Sequence, residues 1–195
     1  MNSEQTDQLS GIRLAPYIQA ATYLIGKSRQ AGGNMFRHQL DTMSILIDYK
    51  YIDSVLLKAS LVHDLLEDIH DFNPNILLSI DFESHAVYEL VLEVSRRKGE
   101  PKPDFLTRIK EKGSKKAKIL KVADRISNMI SLGFVNDLEF VDRYIKETKE
   151  YVLPIAAEVD CNMLTELTDL VKSRQKYLDD FRNLESFIVK YTTEV

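Results

Sequence analysis

Apolar residues recur at intervals of three and four along almost the whole chain, as in Leu138, Val141, Tyr144, Ile145, Tyr151, Val152 and Ile155. This is the period of one helix face rather than the alternation of a half-buried strand, so the spacing predicts an all-α chain. With 195 residues, 44% of them apolar, the chain is long enough to bury one sizeable core, and nothing in it demands a second. The punctuation divides it into segments. Gly32-Gly33 closes a first long helix, an amphipathic stretch follows over 38–48, and Ser54 caps a helix running through 61–68. Asn73-Pro74 has the form of an N-cap followed by proline at the first helical position, and a further helix is expected over 83–96. Residues 97–115 hold two prolines, two glycines and many lysines, which predicts a loop with at most a short helix around Leu106. Helices are expected again over 116–131, 137–158 and 162–190, with no internal repeat.

The formal net charge of −4 argues against a chain whose main work is gripping nucleic acid through a broad basic surface. No apolar run approaches the roughly 18 residues that a membrane span needs, and the polar start MNSEQTDQLSG lacks the form of a secretory signal. The single cysteine, Cys161, cannot form an intrachain disulfide and has no zinc-type partner. A soluble, cytoplasmic protein is the expectation, with no nucleic-acid or membrane partner. No feature specifies an oligomeric state.

The stretch LVHDLLED, residues 61–68, does not fit an ordinary buried helix. Residues four apart share a helix face, which stands His63 above Glu67 and Asp64 above Asp68. Three carboxylates at the edge of an apolar helix repel one another and lose solvation unless something positive sits among them. A metal ion resolves that conflict, and two other places offer ligands. The helix over 116–131 is apolar at Ile119, Leu120, Val122, Ala123, Ile126, Met129 and Ile130, yet carries Asp124, Asn128 and Ser131 on one face. His38 opens the amphipathic stretch. A set of His38, His63, Asp64 and Asp124 mixes nitrogen and oxygen donors, which suits Mn²⁺, Fe²⁺, Co²⁺ or Zn²⁺ better than Mg²⁺ or Ca²⁺. Singly, each has an ordinary explanation: a surface His-Asp pair, a solvated Glu67-Asp68 face, an Asp124 salt-bridged to Arg125. Their joint presence, in order, on helices that otherwise look buried favours the metal. His70 and His85 have no partners at ligand spacing and read as structural or surface residues, as does Cys161.

In that order, His38, His63-Asp64 and Asp124 resemble the pattern of the HD superfamily of metal-dependent phosphohydrolases. HDLLED is similar to the HDxxED motif of the (p)ppGpp 3′-pyrophosphohydrolases, the Rel/Spo hydrolase domain and the small alarmone hydrolases. KVADRISNM at 121–129 is similar to that family's KLADRxxNM, and Arg29 stands nine residues before His38 as in its RKxGxxYxxH stretch. The resemblance runs from about 14 to 160 and implies a single HD-type helical bundle spanning 1–195, with the C-terminal helix over about 162–190. It implies that His38, His63, Asp64 and Asp124 bind one Mn²⁺ and that Glu67 and Asp68 work with the attacking water. Arg29 would stack on the guanine base, and Asn128 and Ser131 would contact the nucleoside. Where the family has Glu-Pro-Tyr before the first histidine and proline after it, this chain has Gly33-Asn34-Met35 and Gln39, and Gln30 follows Arg29. These departures fall in the wall expected to hold the base.

The implied reaction is hydrolysis of guanosine 3′,5′-bis(diphosphate) at the 3′ position, giving GDP or GTP and pyrophosphate. Two alternatives stand behind it: an HD phosphohydrolase acting on another nucleotide or phosphate ester, and a non-catalytic nucleotide-binding module. The last predicts erosion of the ligands or of the acidic pair, and none is visible. The lysines at 110, 112, 115, 116, 118 and 121, with Arg108, form either a solvated basic loop, the commoner case, or a device that steers an anionic substrate.

Overall fold

The computed structural model describes residues 1–192, with side chains described through 184, and every regular element among them is helical. Two N-terminal helices, α1 (Ser3–Gly11) and α2 (Ala15–Ala21), replace the single long helix expected before Gly32-Gly33. Pro16 explains the interruption, since proline is at home in the first turn of a helix and not in its interior. After a short 3₁₀ turn the chain runs irregularly to α3 (Met35–Asp48). The connecting loop is tied by a bridge between Ser28 and Asn34 and turns at Gly32 and Gly33, with φ of 87° and 79°. A Cβ at Gly32 would also lie 3.0 Å from the Ser131 carbonyl oxygen, so glycine is required there.

The next helix, α4 (Ser54–Val62), buries every residue from Leu56 to Val62. Its four large apolar side chains, Leu56, Leu57, Leu61 and Val62, each stabilise the fold by roughly 1.5–3 kcal/mol. The cap is Asp53, whose carboxylate accepts from Leu56 N at 2.9 Å. Ser54, expected there, instead donates to Glu83 at 2.6 Å. Lys58 is buried and neutralised by Asp81 at 2.8 Å and Glu83 at 2.5 Å, while Tyr17 donates to Asp81 at 3.0 Å. This knot ties α2 and α4 to the turn before α7 (Ser84–Val94). The helix does not run on through LVHDLLED. It ends at His63, and a separate turn, α5 (Leu65–Asp68), begins after Asp64. His63 Nδ1 takes the Ser60 carbonyl at 2.8 Å, the acceptor that a continuing helix would offer to the Asp64 N–H. A single turn, α6 (Asn75–Leu78), follows, with Asn73 Oδ1 accepting from Asn75 N at 3.1 Å.

The region expected to be a loop is mostly an eleven-residue helix, α8 (Lys102–Lys112). Pro101 and Pro103 sit at its start, where proline is tolerated, and Phe105, Leu106 and Ile109 bury at helical spacing. Arg108 clamps it to the end of α7, donating to Glu100, to the Glu93 carbonyl and to the Ser95 carbonyl at 2.8–3.0 Å. Ser114 then caps α9 (Lys115–Ser131), which is buried through most of its length and packs against α3, α4, α7 and α8. The helix expected over 137–158 is broken into α10 (Leu138–Glu147), a π turn over Thr148–Val152, and α11 (Leu153–Val159). Pro154 supplies the reason: it has no N–H to give the Glu150 carbonyl, and the ladder widens just before it. The last helix, α12 (Cys161–Thr192), packs across α9, α10 and α11. No described helix is long and apolar enough to cross a membrane.

Candidate metal centre

Three helical segments converge on one cleft of about 290 Å³. His38 comes from the first turn of α3, which Asn34 caps by accepting from Phe36 N and Arg37 N. His63 and Asp64 occupy the break between α4 and α5, and Asp124 lies midway along α9. Ligand atoms of His38, His63 and Asp124 lie within 4.8 Å of one another, and all three residues are buried. Asp124 Oδ1 is 3.1 Å from His38 Nε2 and 3.8 Å from His63 Nε2. Asp64 flanks this trio, with Oδ2 3.5 Å from His38 Nε2 and 3.3 Å from His63 Nε2.

The donor set fits a divalent cation. His63 Nδ1 faces a backbone carbonyl and must carry a proton there, which leaves Nε2 as the atom that faces the cluster and would ligate a metal once deprotonated. That Nε2 is buried without a hydrogen-bond partner. His38 Nδ1 lies 2.8 Å from Ser127 Oγ, a hydroxyl that can donate or accept, and its Nε2 faces inward. Lys121 donates to the outer oxygen of Asp124 at 2.8 Å, and Asn128 Nδ2 donates to the inner one at 2.5 Å.

Protonation follows from this geometry. Burial lowers the His38 pKa and by itself would lower that of His63. At His63 the Asp64 and Asp124 carboxylates outweigh burial and push it up to about 9. Asp124 is held well below the usual carboxylate range, because the Lys121 ammonium and the two imidazoles overcome its desolvation.

Glu67 and Asp68 keep contact with solvent at the cleft mouth, yet the walls strip enough water to raise both carboxyls. Asp68 rises to about 6 through desolvation and then the Asp64 and Glu67 charges. Glu67 is raised by desolvation, which the Arg96 N–H opposes by donating to its Oε1 at 2.9 Å. The i, i+4 columns expected for this stretch do not form in one continuous helix; instead the Glu67 and Asp68 N–H groups bond back to the Asp64 carbonyl at 3.2 and 2.9 Å.

Arg29 reaches the opposite edge of the cleft and donates to Asn128 Oδ1. Ser131 does not line the cleft; its hydroxyl bonds to the Ser127 carbonyl, and the residue backs the Gly32-Gly33 turn that carries Arg29. The basic run disperses. Lys116 pairs with Asp53, Lys118 with Glu158 and Arg108 with Glu100, and of the run Lys121 alone lines the cleft. Sequence spacing missed the other wall residues: Arg96, Lys102, Phe105, Arg125, Phe140 and Tyr144. Lys102 and Phe105 lie on α8, in the region expected to be a loop, while Phe140 and Tyr144 lie on α10, where apolar spacing marks them only as core. His70 and His85 are exposed and Cys161 is a free, exposed thiol.

An all-helical domain that gathers one histidine, a His-Asp pair and a distant aspartate into one cluster is the arrangement that the resemblance to the HD superfamily implies. No protein-family model matches the chain. A curated relative, the probable guanosine-3′,5′-bis(diphosphate) 3′-pyrophosphohydrolase of Mycoplasma genitalium, is 28% identical in an alignment of 170 positions that covers 79% of this chain. The chain spans about a quarter of that relative's length, 23%. Among solved structures, one described as a metazoan ortholog of SpoT that hydrolyzes ppGpp superposes with a TM-score of 0.67 at 23% identity, covering 89% of this chain and 97% of that one. The chain therefore shares the fold of that solved structure.

Proposed function

We propose that the chain is a metal-dependent phosphohydrolase that cleaves the 3′-diphosphate from guanosine 3′,5′-bis(diphosphate), releasing pyrophosphate. The observation that carries this is the buried His38, His63 and Asp124 cluster with an unpartnered inward nitrogen, set beside the raised Glu67 and Asp68 carboxyls. His38, His63, Asp64 and Asp124 would hold one divalent ion, with Mn²⁺ the best match to two imidazoles and two carboxylates. Bound there, the ion supplies Lewis acidity toward a phosphate oxygen and lowers the pKa of water.

The protein's own groups do the rest. Asp68, ionised above about pH 6, accepts the proton of the attacking water, and Glu67 orients that water from beside it. Arg96, Lys102 and Lys121 place positive charge along the cleft, where phosphate oxygens would lie. Arg29 and Asn128, bonded to each other at the far edge, would face the base and sugar. Ser131 would act from beneath, through the turn. Residues 14–160 would form the catalytic core of one HD domain and α12 its C-terminal brace. A cytoplasmic location accords with the lone free thiol.

A second reading keeps the chemistry and changes the substrate. It is favoured by the altered cleft wall, where Gln30 and Met35 stand in place of the family's residues; Gly33, Asn34 and Gln39, expected there too, lie outside the lining, Asn34 as the cap of α3 and Gln39 buried against Asp64. The test is pyrophosphate and phosphate release by metal-stripped protein with Mn²⁺ restored, offered ppGpp, GTP, dGTP and a simple phosphomonoester. Mn²⁺-dependent pyrophosphate from ppGpp alone is expected. Turnover of another substrate with ppGpp untouched would leave the second reading in its place.

A further inference from the structure

The residue after His38 carries an inference that rests on the metal site proposed above. Gln39 is fully buried on α3, and its Nε2 donates to Asp64 Oδ2 at 2.8 Å. That oxygen is the one near both imidazoles, 3.5 Å from His38 Nε2 and 3.3 Å from His63 Nε2. At the other end of the amide, Oε1 is buried with no hydrogen-bond partner. Turning the amide over would not relieve this. It would aim the amide oxygen at a carboxylate oxygen, an acceptor facing an acceptor, and forfeit the bond to Asp64. The observed orientation is the one that gives the Asp64 oxygen a donor.

A buried acceptor left unpaired destabilises a fold by its unrecovered hydration, and a leucine or methionine of similar size would avoid that penalty. Packing alone therefore gives no reason for glutamine at this position. The bond to Asp64 does. Asp124 is held from outside by Lys121, a cation, whereas Asp64 is held by a neutral donor that adds no charge to repel an incoming metal ion.

We propose that Gln39 is a positioning residue for Asp64, its amide keeping Oδ2 turned toward His38 and His63 so that the carboxylate is set in advance to receive a divalent cation. Partners of this kind typically change metal affinity by about 10- to 100-fold. The test is Mn²⁺ titration of the metal-stripped full chain by calorimetry and electron paramagnetic resonance, for wild type, Gln39→Leu and Gln39→Met, with thermal melts of each metal-free protein. The methionine variant covers the case in which leucine overpacks. The expected result is an unchanged or higher melting temperature without metal, and Mn²⁺ binding weakened by about 10-fold or more. Equal Mn²⁺ affinity in all three proteins overturns the proposal, as does a loss of affinity matched in both variants by a lower metal-free melting temperature, which would assign Gln39 to packing. Wild type that binds no Mn²⁺ overturns the metal reading itself, and this inference with it.

Discussion

His63 stands between two carboxylates as their counter-charge. Its imidazole lies 3.3 Å from the Asp64 carboxylate and 3.8 Å from that of Asp124, which hold its pKa near 9 against the effect of burial. A metal must displace that proton. Mn²⁺ binding at neutral pH should therefore release about one proton, with apparent affinity rising by up to about tenfold per pH unit toward pH 9. Calorimetry in buffers of different ionisation enthalpy reads the proton directly; none released would contradict the assignment. Because the folded value lies above the ordinary 6.5, the same proton stabilises the metal-free fold fully below about pH 6.5, and that contribution is lost as pH rises through about 9. The carboxylates separate by role. Asp64→Ala should lose both bound Mn²⁺ and turnover, whereas Glu67→Gln should keep the metal and lower kcat by roughly 100-fold or more. Equal metal loss in the two variants would merge roles that the geometry keeps apart.

At the scale of elements, the helix break at His63-Asp64 is what builds the site. It turns the two ligands inward and leaves Glu67 and Asp68 on a separate turn at the cleft mouth. Helical periodicity revealed α3, α7 and α9 to within a residue or three, because each has one continuous apolar face. It could not reveal the break, since the dihedral angles at His63 and Asp64 remain helical and only the hydrogen-bond ladder lapses. It also missed α8, whose prolines read as loop signals when they in fact start the helix. That helix depends on Arg108. Its partner Glu100 is held down to about 2 by the Arg108 guanidinium, so their pairing stabilises the fold above about pH 4.5 and is lost as pH falls toward 2. Arg108→Met removes the clamp and leaves the Glu93 and Ser95 carbonyls without it, at an expected cost of about 2 kcal/mol, measured by urea unfolding. A change below about 0.5 kcal/mol would mean that α8 is held by its apolar face alone.

Across the whole molecule, the cleft joins positions as far apart in sequence as His38 and Tyr144, and the fold exists to bring them together. The clustered set of His38, His63, Asp64 and Asp124 was conspicuous because its residue types are costly on buried helices. The cations and aromatics of the wall were not, since Lys102, Arg125 and Tyr144 look like ordinary surface or core positions until α8, α9 and α10 meet. Lys102 and Arg125 converge on one half-buried carboxylate, Glu147, a pairing that no local spacing announces. The central claim is that one divalent ion seated among His38, His63, Asp64 and Asp124 supports the hydrolysis. It is tested most directly by following pyrophosphate release from ppGpp while Mn²⁺ is titrated into metal-stripped wild type and Asp124→Ala. The account predicts that release by wild type rises in step with occupancy of one site and that the variant stays inactive; undiminished release by Asp124→Ala, or by wild type in excess chelator, would contradict it.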